Sequence, residues 1–192
     1  MRKVIIQQFI SADGFVADRD DSTSFFEYLT GKEAEEIDQD LLEFIGTIDN
    51  ILLGANTYKF FLEFWPTEAS KEEMVADDLN ATPKVVFSKT LKEAPWGAYE
   101  AVKIVDSDAA EYIKYLKEQP GKDMVIWGSI SLCKSLLHSG VVDEVQLRIV
   151  PVAIGKGTLL FPEEQESLKL ELLDTKVYKS GVVFNRYGLK FD

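Results

Sequence analysis

Three points in the sequence end an apolar run and pass at once into what reads as a helix or turn. They are "ILLGANTY" at Gly54, "VVFSKTL" at Ser88 and "VIWGSISL" at Gly128. A helix N-terminus offers unpaired N–H groups and the positive end of the helix dipole, so this order suits a phosphate without any basic surface. Gly128 has no Cβ to keep a ligand off the backbone, and Ser129 can cap the following helix and donate to the same phosphate. Each signal alone is equally that of a tight turn or a plain cap, and none matches G-x-G-x-x-G or the P-loop. Two carboxylates could do proton chemistry. Asp13, in "SADGF", can orient a substrate or simply form a turn with Gly14. Asp40 lies three residues after Ile37 and four before Phe44, at the border of an apolar helix face. Half-buried there, it would hold a raised pKa and promote protonation; the plain alternative is a solvated acid in an acidic helix. Trp65, with Phe60, Phe61 and Phe64, can wall a pocket for a flat ring or fill the core. Lys89 can pair with a phosphate or sit at the surface. His138 complements a helix C-terminus, and Cys133 falls at core spacing.

These residues need elements to hold them. Val4–Ile10, "NILLG", "KVVFS" (84–88), "EAVKIV" (100–105) and "DMVIWG" read as strands. Residues 32–47, "ANTYKFFLEFW" up to Pro66, 106–119 with an Asp or Ser cap, and 129–139 closed by Gly140 read as helices. The stretch 62–83 is a long loop with a helix-compatible composition. "EVQLRIVPV" alternates Val145, Leu147 and Ile149 against Gln146 and Arg148, which predicts a half-exposed strand. The C-terminal segment reads as a long hairpin turning at Ser180–Gly181. Alternating strands and helices followed by two closing strands predict an α/β domain with a mostly parallel sheet and an antiparallel edge, as one unit over 1–192.

Composition narrows the chemistry. A formal net charge of −12 argues against a general nucleic-acid binder, which needs clustered cations. One His and one Cys leave a structural zinc site and an internal disulfide without ligands, so no metal is expected. No apolar run approaches the ~20 residues of a membrane span. "MRKVIIQQF" reads as a first strand and not a signal peptide, so a cytoplasmic protein is expected.

Taken in order, "SADGFVA", "LLGANTY", "PKVVFSKTL", "GSISLCKSLLHSGVVDEVQLRIVPVAIGKGTLLF" and "SGVVFNRYGL" resemble the dihydrofolate reductase-like superfamily over essentially the whole chain. The nearest likeness is to the C-terminal reductase domain of the bacterial riboflavin-biosynthesis deaminase–reductase. There is no room for a deaminase domain, and its zinc-ligand pattern is absent. The resemblance implies a three-layer fold and NADPH laid across the strand ends. Gly54, Ala55 and Thr57 would lie beside the adenosine-side phosphates, Ser88 and Lys89 near the adenosine ribose, and Gly128, Ser129, Ile130 and Ser131 around the pyrophosphate. Asp13, Gly14 and Phe15 would border the nicotinamide and substrate, and "DLLEF" would place Asp40 as the substrate-binding acid. The implied activity is that of 5-amino-6-(5-phosphoribosylamino)uracil reductase, with a homodimer formed through the C-terminal hairpin. Two alternatives are a reductase of a pterin or other conjugated heterocycle, and a dinucleotide-binding protein without turnover. The sequence departs from the family pattern at Ala55, where relatives carry Arg, at Phe15, where riboflavin-pathway reductases carry Lys, and at Ser129, in place of a second glycine.

Overall fold

A computed structural model describes residues 1–20, 22–27, 29, 32–161 and 167–190, without the side chain of Glu33. An eight-stranded sheet forms the middle layer, built from β1 (Val4–Ser11), β3 (Ile48–Gly54), β4 (Lys84–Phe87), β5 (Lys103–Val105), β6 (Asp123–Trp127), β7 (Glu144–Val150), β9 (Lys169–Val177) and β10 (Val183–Lys190). Across the sheet the order is β5, β4, β3, β6, β1, β7, β10, β9. The strands from β5 to β7 are parallel, and β10 and β9 add antiparallel to β7. Two short strands, β2 (Phe15–Asp18) and β8 (Gly157–Leu159), pair separately.

Helices cover both faces, which is why the central strands are near-continuous apolar runs. One face carries Ile6, Leu52, Val85 and Ile126 beneath α4 (Ala109–Glu118) and α5 (Ile130–Leu137). The other carries Ile5, Ile51, Leu53 and Val125 beneath α1 (Lys32–Ile45), α2 (Ala55–Phe64) and α3 (Ala76–Ala81). Asp108 caps α4 by accepting from the Glu111 N–H at 3.0 Å. Since β1, β3, β4, β6 and β7 run in one direction, Ser11, Gly54, Phe87, Trp127 and Val150 all finish at the same edge. Ligands of open α/β sheets bind at that edge.

The structure alters several expectations. The fifth strand is only Lys103–Val105. Residues 62–83 hold a 3-10 turn at Glu68–Ser70 and the short α3. The N-terminal loop contains β2, whose partner lies about 140 residues away, so no local pattern announces it. The largest change concerns β7. It is buried on both faces, with Gln146 3% and Arg148 1% exposed: Gln146 is bonded to Gln7 and Glu144, and Arg148 lies beside Phe9 and Phe184. The hairpin forms as expected, with Tyr187 and Leu189 packed on the α4–α5 side and Phe184 on the α1 side; Phe191 lies outside the described residues.

Candidate functional site

Two helices begin side by side at the carboxyl edge, α2 after Gly54 and α5 after Ser129, and they are locked together. The Ser129 N–H donates to Thr57 Oγ1 at 2.7 Å, and the Gly54 N–H donates to Ser129 Oγ at 2.8 Å. Ser129 therefore occupies the N-cap position of α5, but its hydroxyl does not cap that helix as the sequence suggested; it reaches across to β3. The geometry requires two consecutive left-handed residues, Gly128 (φ +56°) and Ser129 (φ +46°). A Cβ on Gly128 would stand 2.7 Å from Thr57 Cγ2, so the protein itself demands glycine here. The sequence argument had assigned that demand to a ligand. Gly54 differs: a Cβ there would meet Ser129 at an ordinary 3.7 Å, and the backbone is extended. The bare surface over Gly54 is thus not enforced by packing. The first-turn N–H groups of both helices, from Ala55 to Thr57 and from Ile130 to Leu132, have no acceptor within their own helix. The two N-termini are neighbours through the Thr57–Ser129 and Gly54–Ser129 bonds, an arrangement suited to a diphosphate.

Ser88 follows β4, and its hydroxyl accepts from the N–H groups of Thr90 (3.2 Å) and Leu91 (3.1 Å), so it fixes the turn that carries exposed Lys89. Asp13 is also committed. Its carboxylate accepts from Ser11 Oγ (2.6 Å) and from the N–H groups of Gly155 (2.7 Å) and Ile154 (3.1 Å). It ties the loop after β1 to the loop after β7, and these bonds, led by that of Ser11, hold its pKa below the usual value. Gly14 (φ +94°) makes the turn, and Phe15 enters β2 opposite Leu159.

Asp40 does lie at the border of the α1 core face, and it has partners. Lys176 Nζ reaches both oxygens at 2.8 and 2.9 Å, and the Tyr178 hydroxyl donates to Oδ2 at 2.8 Å. Trp65 is carried away from the strand ends. It follows the ten residues of α2, about 15 Å along the axis from Gly54, and packs into the core with Phe61. Phe60 is 64% exposed, so the four rings do not wall one pocket. Cys133 is fully buried, and burial pushes its thiol up to about 12.

Sequence reasoning missed the polar row beneath α1. Trp127 Nε1 donates to Gln7 Oε1 (2.8 Å), Gln7 Nε2 to Gln146 Oε1 (2.7 Å), and Gln146 Nε2 to Glu144 Oε1 (2.7 Å). Arg186 Nε closes the chain on Glu144 at 2.8 Å. Burial opposes the Glu144 charge, but Arg186 and Gln146 outweigh it and hold the carboxyl below its usual range. One row nearer the carboxyl edge lies Arg148, opposite Phe9 in β1 and Phe184 in β10. Its guanidinium carbon is 4.7 Å from the Phe184 ring centroid and 5.7 Å from that of Phe9. The only available signal was a pair of polar residues inside an otherwise apolar strand.

Among the described residues no cluster of His, Cys, Asp or Glu is placed to hold a metal, and no helix is long and apolar enough to cross a membrane.

Comparison with known proteins bears on the family and the fold. The uncharacterized protein YyaP of Bacillus subtilis is 27% identical over 184 residues, covering 95% of this chain and 92% of its own. A putative riboflavin biosynthesis protein from Shewanella sp. PV-4 superposes with a TM-score of 0.78 at 22% identity, over 98% of this chain and 99% of that one. The deaminase/5-amino-6-(5-phosphoribosylamino)uracil reductase of Thermotoga maritima gives 0.68 at 16% identity; 98% of this chain matches 57% of that longer one. Dihydrofolate reductase from Enterococcus faecalis, complexed with NADP(H), gives 0.63 at 15% identity over 98% and 97% of the two chains. The fold is therefore dihydrofolate reductase-like. The model of the RibD C-terminal domain matches residues 2–184, and the chain belongs to that family of reductase domains.

Proposed function

We propose that the protein is an NADPH-dependent reductase of a conjugated heterocycle, in the activity class of 5-amino-6-(5-phosphoribosylamino)uracil reductase. The observation that carries this reading is the locked pair of helix N-termini at α2 and α5, which meet at the open backbone of Gly54. These groups fit a dinucleotide diphosphate held by backbone dipoles in an acidic protein. Gly54, Ala55 and Thr57 would line its adenosine side, Ser88 and exposed Lys89 its ribose, and Ser129, Ile130 and Ser131 its bridge. The bound cofactor would supply a hydride. The chain's own contribution is position: the Thr57–Ser129 lock fixes the cradle, and the Asp13 clamp fixes the loop that carries Gly14 and Phe15 beside it. Asp40, held by Lys176 and Tyr178, would orient the substrate from α1.

The test is titration with NADPH by quenching of tryptophan fluorescence, then NADPH oxidation with 5-amino-6-(5-phosphoribosylamino)uracil and with a pterin panel. Saturable binding and oxidation with a heterocycle are expected. Binding with no oxidation would favour the dinucleotide-binding reading, which the loss of Arg at Ala55 and of Lys at Phe15 also motivates. Absence of binding would remove the proposal.

A further inference from the structure

Arg148 is 1% exposed, and its Nε has no hydrogen-bond partner. No ion pair joins it to a described carboxylate. Asp40 is close enough to act on it through space but is taken by Lys176 and Tyr178. Asp38 lies on the same helix, and burial followed by the charge of Glu73 pushes it toward its neutral form, with Arg148 opposing. Tyr178 favours the charged guanidinium by accepting from it, while its own proton goes to Asp40, and Nε is left unmatched. A guanidinium only donates, through five N–H groups in a planar fork. Burying a guanidinium with its Nε unmatched costs free energy, and that donor is open to an acceptor that a ligand would bring.

Position indicates which ligand. Gln7 of β1 is level with Trp127 of β6, and Phe9, two residues further on, is opposite Arg148. Arg148 is therefore at the same edge as Gly128, two strands away, or about 10 Å across the sheet. That is beside the proposed dinucleotide cradle and not inside it. The phenyl rings of Phe9 and Phe184 flank the guanidinium on its two sides in the sheet and give it flat walls there.

We propose that Arg148 is a specificity residue at this strand edge and takes the oxygen-bearing edge of a planar conjugated ring, such as ring carbonyls or a ring carboxylate. The proposal rests on the reductase reading for what binds at that edge. Its chemistry is independent: a buried donor fork between aromatic walls pairs with a flat acceptor edge.

The experiment uses cofactor-free protein and three probes followed by ligand-detected NMR: uracil, benzoate and, as an oxygen-free planar control, pyrazine. Wild type should bind uracil or benzoate and not pyrazine. Arg148→Met should weaken that binding roughly tenfold to a hundredfold, the value of a charge-assisted hydrogen bond. The same variant should unfold at a higher denaturant concentration than wild type, because a buried cation with an unmatched Nε has gone. Undiminished probe binding in Arg148→Met overturns the proposal, as does failure of both oxygen-bearing probes on wild type. A lower unfolding midpoint with unchanged probe binding makes Arg148 a structural residue and also overturns it. Should Arg148→Met not fold, Arg148→Lys keeps the charge without the fork; it should lose at least tenfold in affinity, and unchanged affinity refutes the idea. NADPH titrated into wild type and variant separates the two readings. If it binds neither, the dinucleotide proposal fails while the probe result still decides the role of Arg148.

Discussion

Replacing Gly128 with alanine tests what that glycine is for. Two costs follow from the structure. The residue is left-handed at φ +56°, which penalises an L side chain by about 1–2 kcal/mol. The new Cβ would also stand 2.7 Å from Thr57 Cγ2, and overpacking of this kind costs about 1–3 kcal/mol. Together they amount to about 2–5 kcal/mol, a large part of the 5–15 kcal/mol typical of a domain. The second cost has a specific remedy. Thr57→Ser deletes Cγ2 but keeps Oγ1, the acceptor for the Ser129 N–H, and Oγ1 would be 3.3 Å from the new Cβ. The double variant should therefore recover most of the steric part and retain the backbone part. Urea denaturation of wild type, both single variants and the double variant gives the coupling directly. A coupling of 1 kcal/mol or more in favour of the pair is expected, in roughly the range for residues in contact. Strict additivity, or a Gly128→Ala protein as stable as wild type that loses only NADPH binding, would refute the packing argument and return the glycine to a ligand.

Four further outcomes are expected. Asp13 is held below its ordinary pKa of 3.8 by Ser11 and loop N–H groups, so its clamp is complete above that pH and is lost only as pH falls through the lower folded value; the Gly155 amide shift should report this, and Asp13→Asn should abolish the transition. Lys84 is buried with its ammonium on the carbonyls of Leu79, Asn80 and Thr82, and burial pushes it down from 10.5 to about 7. The unfolded chain then binds the extra proton between those values, so wild-type stability should rise with pH relative to Lys84→Met across that window, and parallel denaturation curves would contradict it. The edge strand β9 leaves Leu172 55%, Leu173 49% and Val177 70% exposed, so a homodimer through the hairpin is expected; sedimentation should show it at micromolar concentration, with Leu172→Glu shifting it to monomer. With Ala55 in place of a planar fork and Lys89 as an exposed point charge, NADPH should be preferred over NADH only about tenfold, and Lys89→Ala should erase most of that in paired titrations.

The parallel sheet was legible because its strands are apolar on both faces and end at Gly54, Ser88 and Gly128. The hairpin was legible from its turn residues. What escaped depends on partners far along the chain. Period-two alternation in "EVQLRIV" cannot distinguish a strand with a wet face from one whose second face is lined with bonded polar groups, so Gln146 and Arg148 were placed outside. Ser129 carried the signature of an N-cap, but its hydroxyl bonds to Gly54, 75 residues away. Asp40 was recognisable as a residue at a helix-face border; that Lys176 and Tyr178 would engage it depended on how the hairpin returns over α1. Trp65 was placed with the ligand on aromatic character alone, and only the length of α2 shows how far it is carried.

The lock between Thr57 and Ser129 also bears on the order in which the chain can assemble. Its two bonds span 72 and 75 residues and connect the β3–α2 unit to the β6–α5 unit. Neither can form until β6 has found its place between β3 and β1, and closing so long a loop brings no return until that pairing exists. The proposed dinucleotide end of the molecule is thus completed late, after the strand order is set. A chain arrested with β6 unpaired would carry two separate helix starts and no proposed cradle, so dinucleotide binding would double as a report that the central sheet has closed correctly.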